Sequence, residues 1–456
     1  MIVQFECDGF KNLQNVVLPL RPFQAFAGPN NAGKSNLFDA LRLLSMLPDH
    51  DLPDILQSIR GDPFEIFTQL PDGSYAKTMR IALELLLNGT FTDEFEGDVT
   101  LKRTWLRYEI EIERDESDSG NRVQIAGEQL LLKQSKDKLP WRSSPAFRKA
   151  HLRFAHRVAD YISINDSDSV TVYKDGAESR GRPRMMRRGT RQSVLYVIRD
   201  AKEFPHVCAV RNELQSWRFI HLDPAAMREP NAADGPDRME SNGRYLAATL
   251  NRIIQADDAV RLQMSNWIRQ VVPGARSIGV RYLEELHRYV VELTMTDGRR
   301  FSSRVLSDGT LRLLALLTLQ YDPQQANTMM LEEPENGVHP RRLDTVIELL
   351  KEMSTNPDAG DADSSDPLRQ VLINTHSPYL VDALAPEDLI LVEEQTRFGG
   401  NGATPRRQTR YRPVVPPSQP LFDRQTDKPT RARIHQLLEE RDLGELWTNG
   451  ALGGVP

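Results

Sequence analysis

The sequence predicts an α/β fold, in which a mixed, largely parallel sheet carries a phosphate loop and is joined by an antiparallel β lobe and a large α+β insertion. Three observations carry this expectation. Gly28-Pro29-Asn30-Asn31-Ala32-Gly33-Lys34-Ser35 matches G-x-x-x-x-G-K-S at every fixed position, and it stands between the apolar run Phe23 to Ala27 and the helical spacing Leu37, Leu41, Leu44. A second apolar run, Thr328 to Leu331, ends in Glu332-Glu333-Pro334-Glu335. A buried parallel strand delivers carboxylates to the carboxyl edge of a sheet in this way. Residues 79 to 133 alternate strand-like runs (Ile81 to Leu87, Tyr108 to Ile112, Val123 to Leu132) with acidic turns such as Asp115 to Asp118, which is the pattern of an antiparallel lobe.

The remaining elements follow in order. Met1 to Phe5 and Val16 to Leu20 read as two strands ahead of the loop strand. Residues 140 to 275 are less regular, with helical stretches around Arg148 to Tyr161, Leu246 to Gln255 and Val260 to Val271, and read as an insertion. Arg288 to Met295 and Arg300 to Val305 flank Thr296-Asp297-Gly298-Arg299, a hairpin signal. Leu311 to Leu319 reads as an apolar helix and Val371 to Ile373 as a buried strand. Asn356 to Pro367 and Phe398 to Pro429 are rich in turn-forming residues without periodicity and are expected to be flexible. The resulting organisation is 1–135 for the N-terminal head and β lobe, 136–275 for the insertion, 276–395 for the C-terminal head, and 396–456 for a linker and tail.

At 456 residues the chain is too long for one compact core. Its 39% hydrophobic and 27% charged residues are those of a folded soluble protein, and no run approaches the roughly 20 apolar residues of a membrane span. The start, MIVQFECDGF, lacks a basic stretch followed by an apolar core, so a cytoplasmic location without a membrane partner is expected. Cys7 and Cys208 are the only cysteines and have neither metal nor redox spacing.

The chemistry of the motifs can be stated from their residue types. Glycines let loop amides face phosphates, Lys34 reaches the outer phosphates, Ser35 joins a magnesium shell, and the helix beginning near Lys34 points its positive end at the same anion. Of two carboxylates after the acidic strand, one would hold magnesium through water and the next would polarise the attacking water. Leu306-Ser307-Asp308-Gly309-Thr310 precedes an apolar helix, where a serine and a glycine form a cap and an anion site together. In Thr375-His376-Ser377-Pro378, a histidine at a strand end can donate to a terminal phosphate. Alone, these last three read more readily as a solvated helix start, a helix cap and a structural histidine. Their order after the phosphate loop makes them one constellation.

GPNNAGKSN, LSDGT, MLEEPENGVHP and INTHSPYL resemble the ABC-like ATPases of the SMC, RecF and overcoming-lysogenisation-defect group, including ATPase subunits of bacterial anti-phage systems. The resemblance covers roughly residues 1 to 90 and 276 to 395, and Gly444-Glu445-Leu446-Trp447 with Gly450 to Gly454 looks like the tail of stand-alone members. It implies ATP and Mg2+ as cofactors, and a head-to-head dimer in which the signature of one subunit completes the site of the other. Asn30, Gly33, Lys34, Ser35 and Asn36 would hold the nucleotide, with Ser307 and Gly309 acting in trans. Ser35 and Glu332 would hold magnesium, Glu333 would polarise water, and His376 would be the switch histidine. Two positions depart from the family pattern: Glu332 stands where aspartate is usual, and Asp308 where glycine is common. The glutamine that contacts magnesium in the family has Gln69 as its candidate.

Nuclease members of the group carry a Toprim domain after the histidine. Leu389 to Glu394 resembles its first strand, but no Asp-x-Asp follows, and Asp423 and Asp427 fall in the stretch expected to be flexible. The effector is therefore expected to be a separate protein, a Toprim nuclease among the candidates. Arg180, Arg182, Arg184, Arg187, Arg188 and Arg191 form a run without an acid, preceded by Arg148, Lys149, Arg153 and Arg157, inside a chain of net charge -6. Such a run attracts nucleic-acid backbones or acidic protein, and equally suits a solvated loop. The expected activity is ATP hydrolysis controlling an effector or a grip on DNA, in anti-phage defence or DNA maintenance. A slow nucleotide-gated scaffold is the alternative, and a transporter ATPase fits less well because such subunits lack so large an insertion.

Overall fold

The computed structural model describes residues 1–29, 32–70, 72–115, 122–156, 159–164, 169–175, 184–324, 326–397 and 406–414. Its centre is a six-stranded sheet in the order Arg218–Ile220, Thr328–Glu332, Gln370–Thr375, Phe23–Ala27, Leu389–Arg397, Arg406–Pro413. The first five strands are parallel and the last is antiparallel to its neighbour. Parallel strands covered on both faces read as continuous apolar runs. Period-two alternation then sorts them: Phe26, Met330, Leu372 and Ile390 enter one core, whereas Ala25, Met329, Leu331, Val371 and Ile373 enter the other.

The first core holds the helix Lys34–Met46 through Leu37, Leu41 and Leu44, each burial contributing on the order of 2 kcal/mol. An eight-stranded antiparallel sheet closes over it. From one edge its strands are Arg184–Arg187, Ser169–Val172, Ile162–Ile164, Arg122–Leu132, Trp105–Asp115, Thr78–Leu86, Ile2–Asp8 and Val16–Pro19. Strands from within 136–275 thus join both sheets, three of them the antiparallel one and Arg218–Ile220 the central one. The second core packs helices Leu246–Ala256, Asp258–Val271, Asp308–Tyr321 and Leu343–Glu352 on the other face, with a small sheet built on the hairpin Arg288–Met295 and Arg300–Ser302. Gly298 turns that hairpin at φ 84°. Among the described residues no helix is long and apolar enough to cross a membrane.

Four local expectations are corrected. The helix expected over Arg148 to Tyr161 is Pro145–His151, started by the Ser144 cap and Pro145. It stops because Leu152 is extended and Arg153 turns back to donate to the carbonyls of Gly89 and Leu101. Part of the stretch expected to be flexible, Arg406–Pro413, is a strand paired with Leu389–Arg397. Its arginines mask an alternation in which Thr409 is buried. Asn356 to Pro367 forms turns anchored to the rest of the chain, with Ser144 donating from its amide to Pro357 and from its hydroxyl to Ala359 at 2.5 Å. Leu389–Arg397, likened above to the start of a Toprim domain, pairs in parallel with Phe23–Ala27 and belongs to the central sheet.

Candidate nucleotide-binding site

The loop strand Phe23–Ala27 runs into Gly28, whose amide donates to Thr375 O at the end of the neighbouring strand. The helix that follows is capped by Gly33 at φ 105°, a backbone region that L side chains rarely occupy. Gly33, Lys34, Ser35 and Asn36 line one wall of a cavity of about 440 Å³, and Glu332, Glu333 and Asn374 line another. The three parallel strands around the loop thus bring the phosphate loop and the acidic motif to one carboxyl edge. Asn30 lies outside the described residues.

Lys34 is buried and donates to the carbonyls of Gly28 and Pro29, the latter at 2.8 Å. Burial pulls its ammonium down to about 8, against the opposing pull of the Glu333 and Glu335 carboxylates. Glu333 adopts a left-handed backbone, φ 48°, which costs a residue with a Cβ roughly 1–2 kcal/mol. Asn374 offsets this by accepting the Glu333 amide at its carbonyl, 3.0 Å, and at its side-chain oxygen, 3.2 Å. The result places Glu333 Oε1 2.6 Å from His376 Nδ1, while Glu333 Oε2 accepts from Asn336 at 2.7 Å. Glu332 points elsewhere along the same cavity, with His221 Nδ1 3.5 Å away.

Ser307 and Gly309 do not line this cavity. They start the helix Asp308–Tyr321, where Ser307 Oγ accepts from the Thr310 amide at 3.3 Å. Gly309 lies against Gly337, and a Cβ there would collide with the Gly337 carbonyl. Asp308, the departure from the family pattern, is held by Arg228, which donates to its carboxylate and, at 3.0 Å, to Leu306 O. Gln69 does not reach the cavity either; it is exposed and bridges to Tyr75.

Several residues here were not foreseen. Lys11, left-handed at φ 47°, lines the cavity with Asp39 and Arg60, and both cations pair with the Asp39 carboxylate. The turn Gly9-Phe10-Lys11-Asn12 carries only a weak signal for it. Glu335 is 6% exposed; its Oε1 accepts from the Thr375 hydroxyl and its Oε2 has no partner among the described residues. Burial, reinforced by Glu333, raises its carboxyl above the ordinary range. Arg312, within the signature helix, is pulled below the ordinary range by burial, against the opposing carboxylates of Asp308, Asp223, Glu333 and Glu335.

A phosphate loop between a parallel strand and its helix, facing carboxylates at the end of a nearby strand of the same sheet, one of them bonded to a histidine that does not itself line the cavity, defines a P-loop ATPase fold. The sequence profile of the family described as "AAA domain, putative AbiEii toxin, Type IV TA system" matches residues 23–382, and the chain belongs to that family. No curated protein matches it by sequence. Among solved structures it is similar to the SmcHead bound to the C-winged helix domain of ScpA, with 15% identity and a TM-score of 0.46 over 90% of this chain and 97% of that one. It is also similar to the SMC head domain from Thermotoga maritima, at 14% identity and a TM-score of 0.40 over 91% and 99% of the two chains. A third is the Smc head domain with an extended coiled coil bound to the C-terminal domain of ScpA derived from Pyrococcus furiosus, at 13% and 0.45 over 91% and 96%. The fold assignment rests on the strand order and the family match.

Proposed function

We propose that this chain hydrolyses ATP at a composite site formed by two copies arranged head to head, and that the cycle controls a separate effector or a grip on DNA. The observation that carries this reading is the cavity in which Lys34 and Ser35 face Glu332 and Glu333, with Glu333 bonded to His376. Glu333 polarises the attacking water and His376 holds that carboxylate in place through Nδ1, so Nε2 is the nitrogen for a terminal phosphate oxygen.

Ser35 and Glu332 offer only oxygen donors, the hard set that magnesium prefers, and would hold it together with the phosphates. No cluster of three or more His, Cys, Asp or Glu stands ready for a metal among the described residues. A magnesium ion carried in by ATP needs no such cage. When bound, it would neutralise charge developing on the phosphates.

Dimerisation is supported by the position of Ser307 and Gly309 outside their own chain's cavity. Val305, 68% exposed, stands just before the signature, and Tyr379, 61% exposed, just after His376, so apolar side chains flank both halves of the composite site in sequence. The family description names an AbiEii toxin of a Type IV TA system, and the place of this ATPase in anti-phage defence, acting on a separate effector, is part of the present proposal. Turnover of Glu333→Gln beside the unaltered chain tests the reading: hydrolysis above the variant's supports it, and equal, negligible rates would leave a nucleotide-gated scaffold instead.

A DNA-engaging role is favoured by one observation. Arg184, Arg187, Arg188 and Arg191 are exposed, and Arg184–Arg187 is the edge strand of the eight-stranded sheet. Arg180, Arg182 and Arg157 lie outside the described residues. Of the preceding cations, Arg148 donates to Ser143 O in its own loop and Arg153 to Gly89 O, 64 residues away in the chain, so both make contacts within the fold.

A further inference from the structure

The strand Arg406–Pro413 closes the edge of the central sheet and also lies under the phosphate loop. Thr409 Oγ1 donates to Ala32 O at 2.9 Å, and Tyr411 OH donates to Gly33 O at 3.1 Å. The Thr409 amide donates to Asn12 O at 3.2 Å and Gln408 Nε2 to Gln14 O at 2.6 Å, so the strand also grips the turn that brings Lys11 to the cavity. The Tyr411 ring meets Phe26 edge-on, with centroids 6.3 Å apart. A Cβ at Gly33 would run into the Thr409 side chain, and one at Gly28 into the carbonyl of Val392 on the paired strand. The fit between loop and hairpin leaves no slack.

The consequence follows from peptide geometry. In a trans peptide unit the C=O and the next N–H point in opposite directions, and no cis peptide is present among the described residues. Ala32 C=O shares its plane with Gly33 N–H, and Gly33 C=O shares its plane with Lys34 N–H. Turning the two carbonyls onto Thr409 and Tyr411 therefore turns the two amides the other way. Gly33 O also accepts from the Asn36 and Leu37 amides at the start of the helix, whereas Thr409 is the donor that Ala32 O has among the described residues. Without that hydroxyl the buried carbonyl would gain by rotating its peptide plane, and the Gly33 amide would rotate with it.

We propose that Thr409, assisted by Tyr411, is a positioning residue for the nucleotide, fixing the Gly33 and Lys34 amides toward the phosphates and making the C-terminal hairpin part of the site. This rests on the reading that the cavity takes ATP. The motif that identifies the loop contains neither residue; they lie in a stretch whose composition conceals them.

The test uses the full chain with Thr409→Val, which keeps the shape and removes the hydroxyl, Thr409→Ser, which keeps the hydroxyl, and Tyr411→Phe. ATP affinity with Mg2+ is measured by calorimetry, amide hydrogen exchange is read at residues 32–36, and the thermal midpoint reports folding. Thr409→Val is expected to weaken ATP about tenfold, the worth of one buried hydrogen bond, and to speed exchange at Gly33 and Lys34, with the midpoint lowered by no more than about 4 °C. Thr409→Ser restores both, and Tyr411→Phe gives a smaller effect in the same direction. Unchanged affinity and exchange in Thr409→Val, or equal damage in Thr409→Ser, would overturn the proposal. Failure of the unaltered chain to bind ATP would instead overturn the reading beneath it, and the exchange measurement would still decide the positioning role. Should Thr409→Val not fold, Tyr411→Phe with its exchange profile decides.

Discussion

His376 Nδ1 lies 2.6 Å from Glu333 Oε1, and Glu333 reaches that position only through a left-handed backbone that Asn374 holds from two sides. The two side chains form a unit in which the histidine orients the acid. His376→Ala is therefore expected to lower ATP turnover on the order of 100-fold while ATP affinity stays within a few-fold, because the loop side of the cavity is untouched. Steady-state kinetics with direct binding separates the two. A variant that loses affinity and keeps its turnover number would place His376 in binding alone.

Lys34 carries a second consequence. Burial holds its ammonium down to about 8, and a bound triphosphate beside it favours the charged form. ATP binding above pH 8 must then take up a proton, so affinity falls as pH rises through about 8. Calorimetry at pH 8.5 in buffers of different ionisation enthalpy should report uptake of roughly half a proton or more, and Lys34→Ala should abolish it. Binding without proton exchange would contradict this.

Deep in the antiparallel lobe, Glu128 accepts from Tyr108 OH at 2.9 Å and from the Val194 amide at 2.7 Å, yet burial still raises its carboxyl to about 7 from an ordinary 4.5. The folded chain keeps a proton there that the unfolded chain releases between those values. Stability from this group is thus present at low pH, lost as pH rises from 4.5 through 7, and flat above. The loss is roughly 3 kcal/mol. Denaturant unfolding of the unaltered chain and of Glu128→Gln at pH 4 to 8 should diverge in slope across that window only, and parallel curves would refute it.

The edge strand Arg184–Arg187 offers a simple electrostatic test. Arg188 donates to Ala126 O at 2.6 Å and is partly structural, so Arg184→Glu with Arg187→Glu is the cleaner change. If duplex DNA is gripped here, affinity falls and the salt dependence flattens by about 1 in slope per lost phosphate contact. Unaltered binding in a salt titration would remove this strand from the interface.

Much of this was legible in the sequence because the residues that make the site also make the elements. Phe23–Ala27, the glycine loop and Leu37, Leu41 and Leu44 announce strand, turn and helix, and the apolar run ending at Glu332 announces the neighbouring strand. What stayed hidden depends on partners distant in sequence. Arg406–Pro413 carries arginines on a strand whose inner residues, Thr409 and Tyr411, matter only because the phosphate loop lies against them. Arg218–Ile220 is too short to show a period, and its pairing with Thr328–Glu332 decides its structure. The link between His376 and Glu333 needed a left-handed residue with a side chain, which local propensity argues against.

The composite site is tested most directly by mixing two inactive chains. Lys34→Ala removes the phosphate-loop lysine and keeps the signature, whereas Ser307→Arg blocks the signature and keeps the loop. Each alone is expected to lack ATP turnover, and an equimolar mixture should recover it, because one of the two sites in the mixed dimer is then intact. A mixture as inactive as its components, or a Ser307→Arg chain that hydrolyses ATP unaided, would contradict a site shared between two copies.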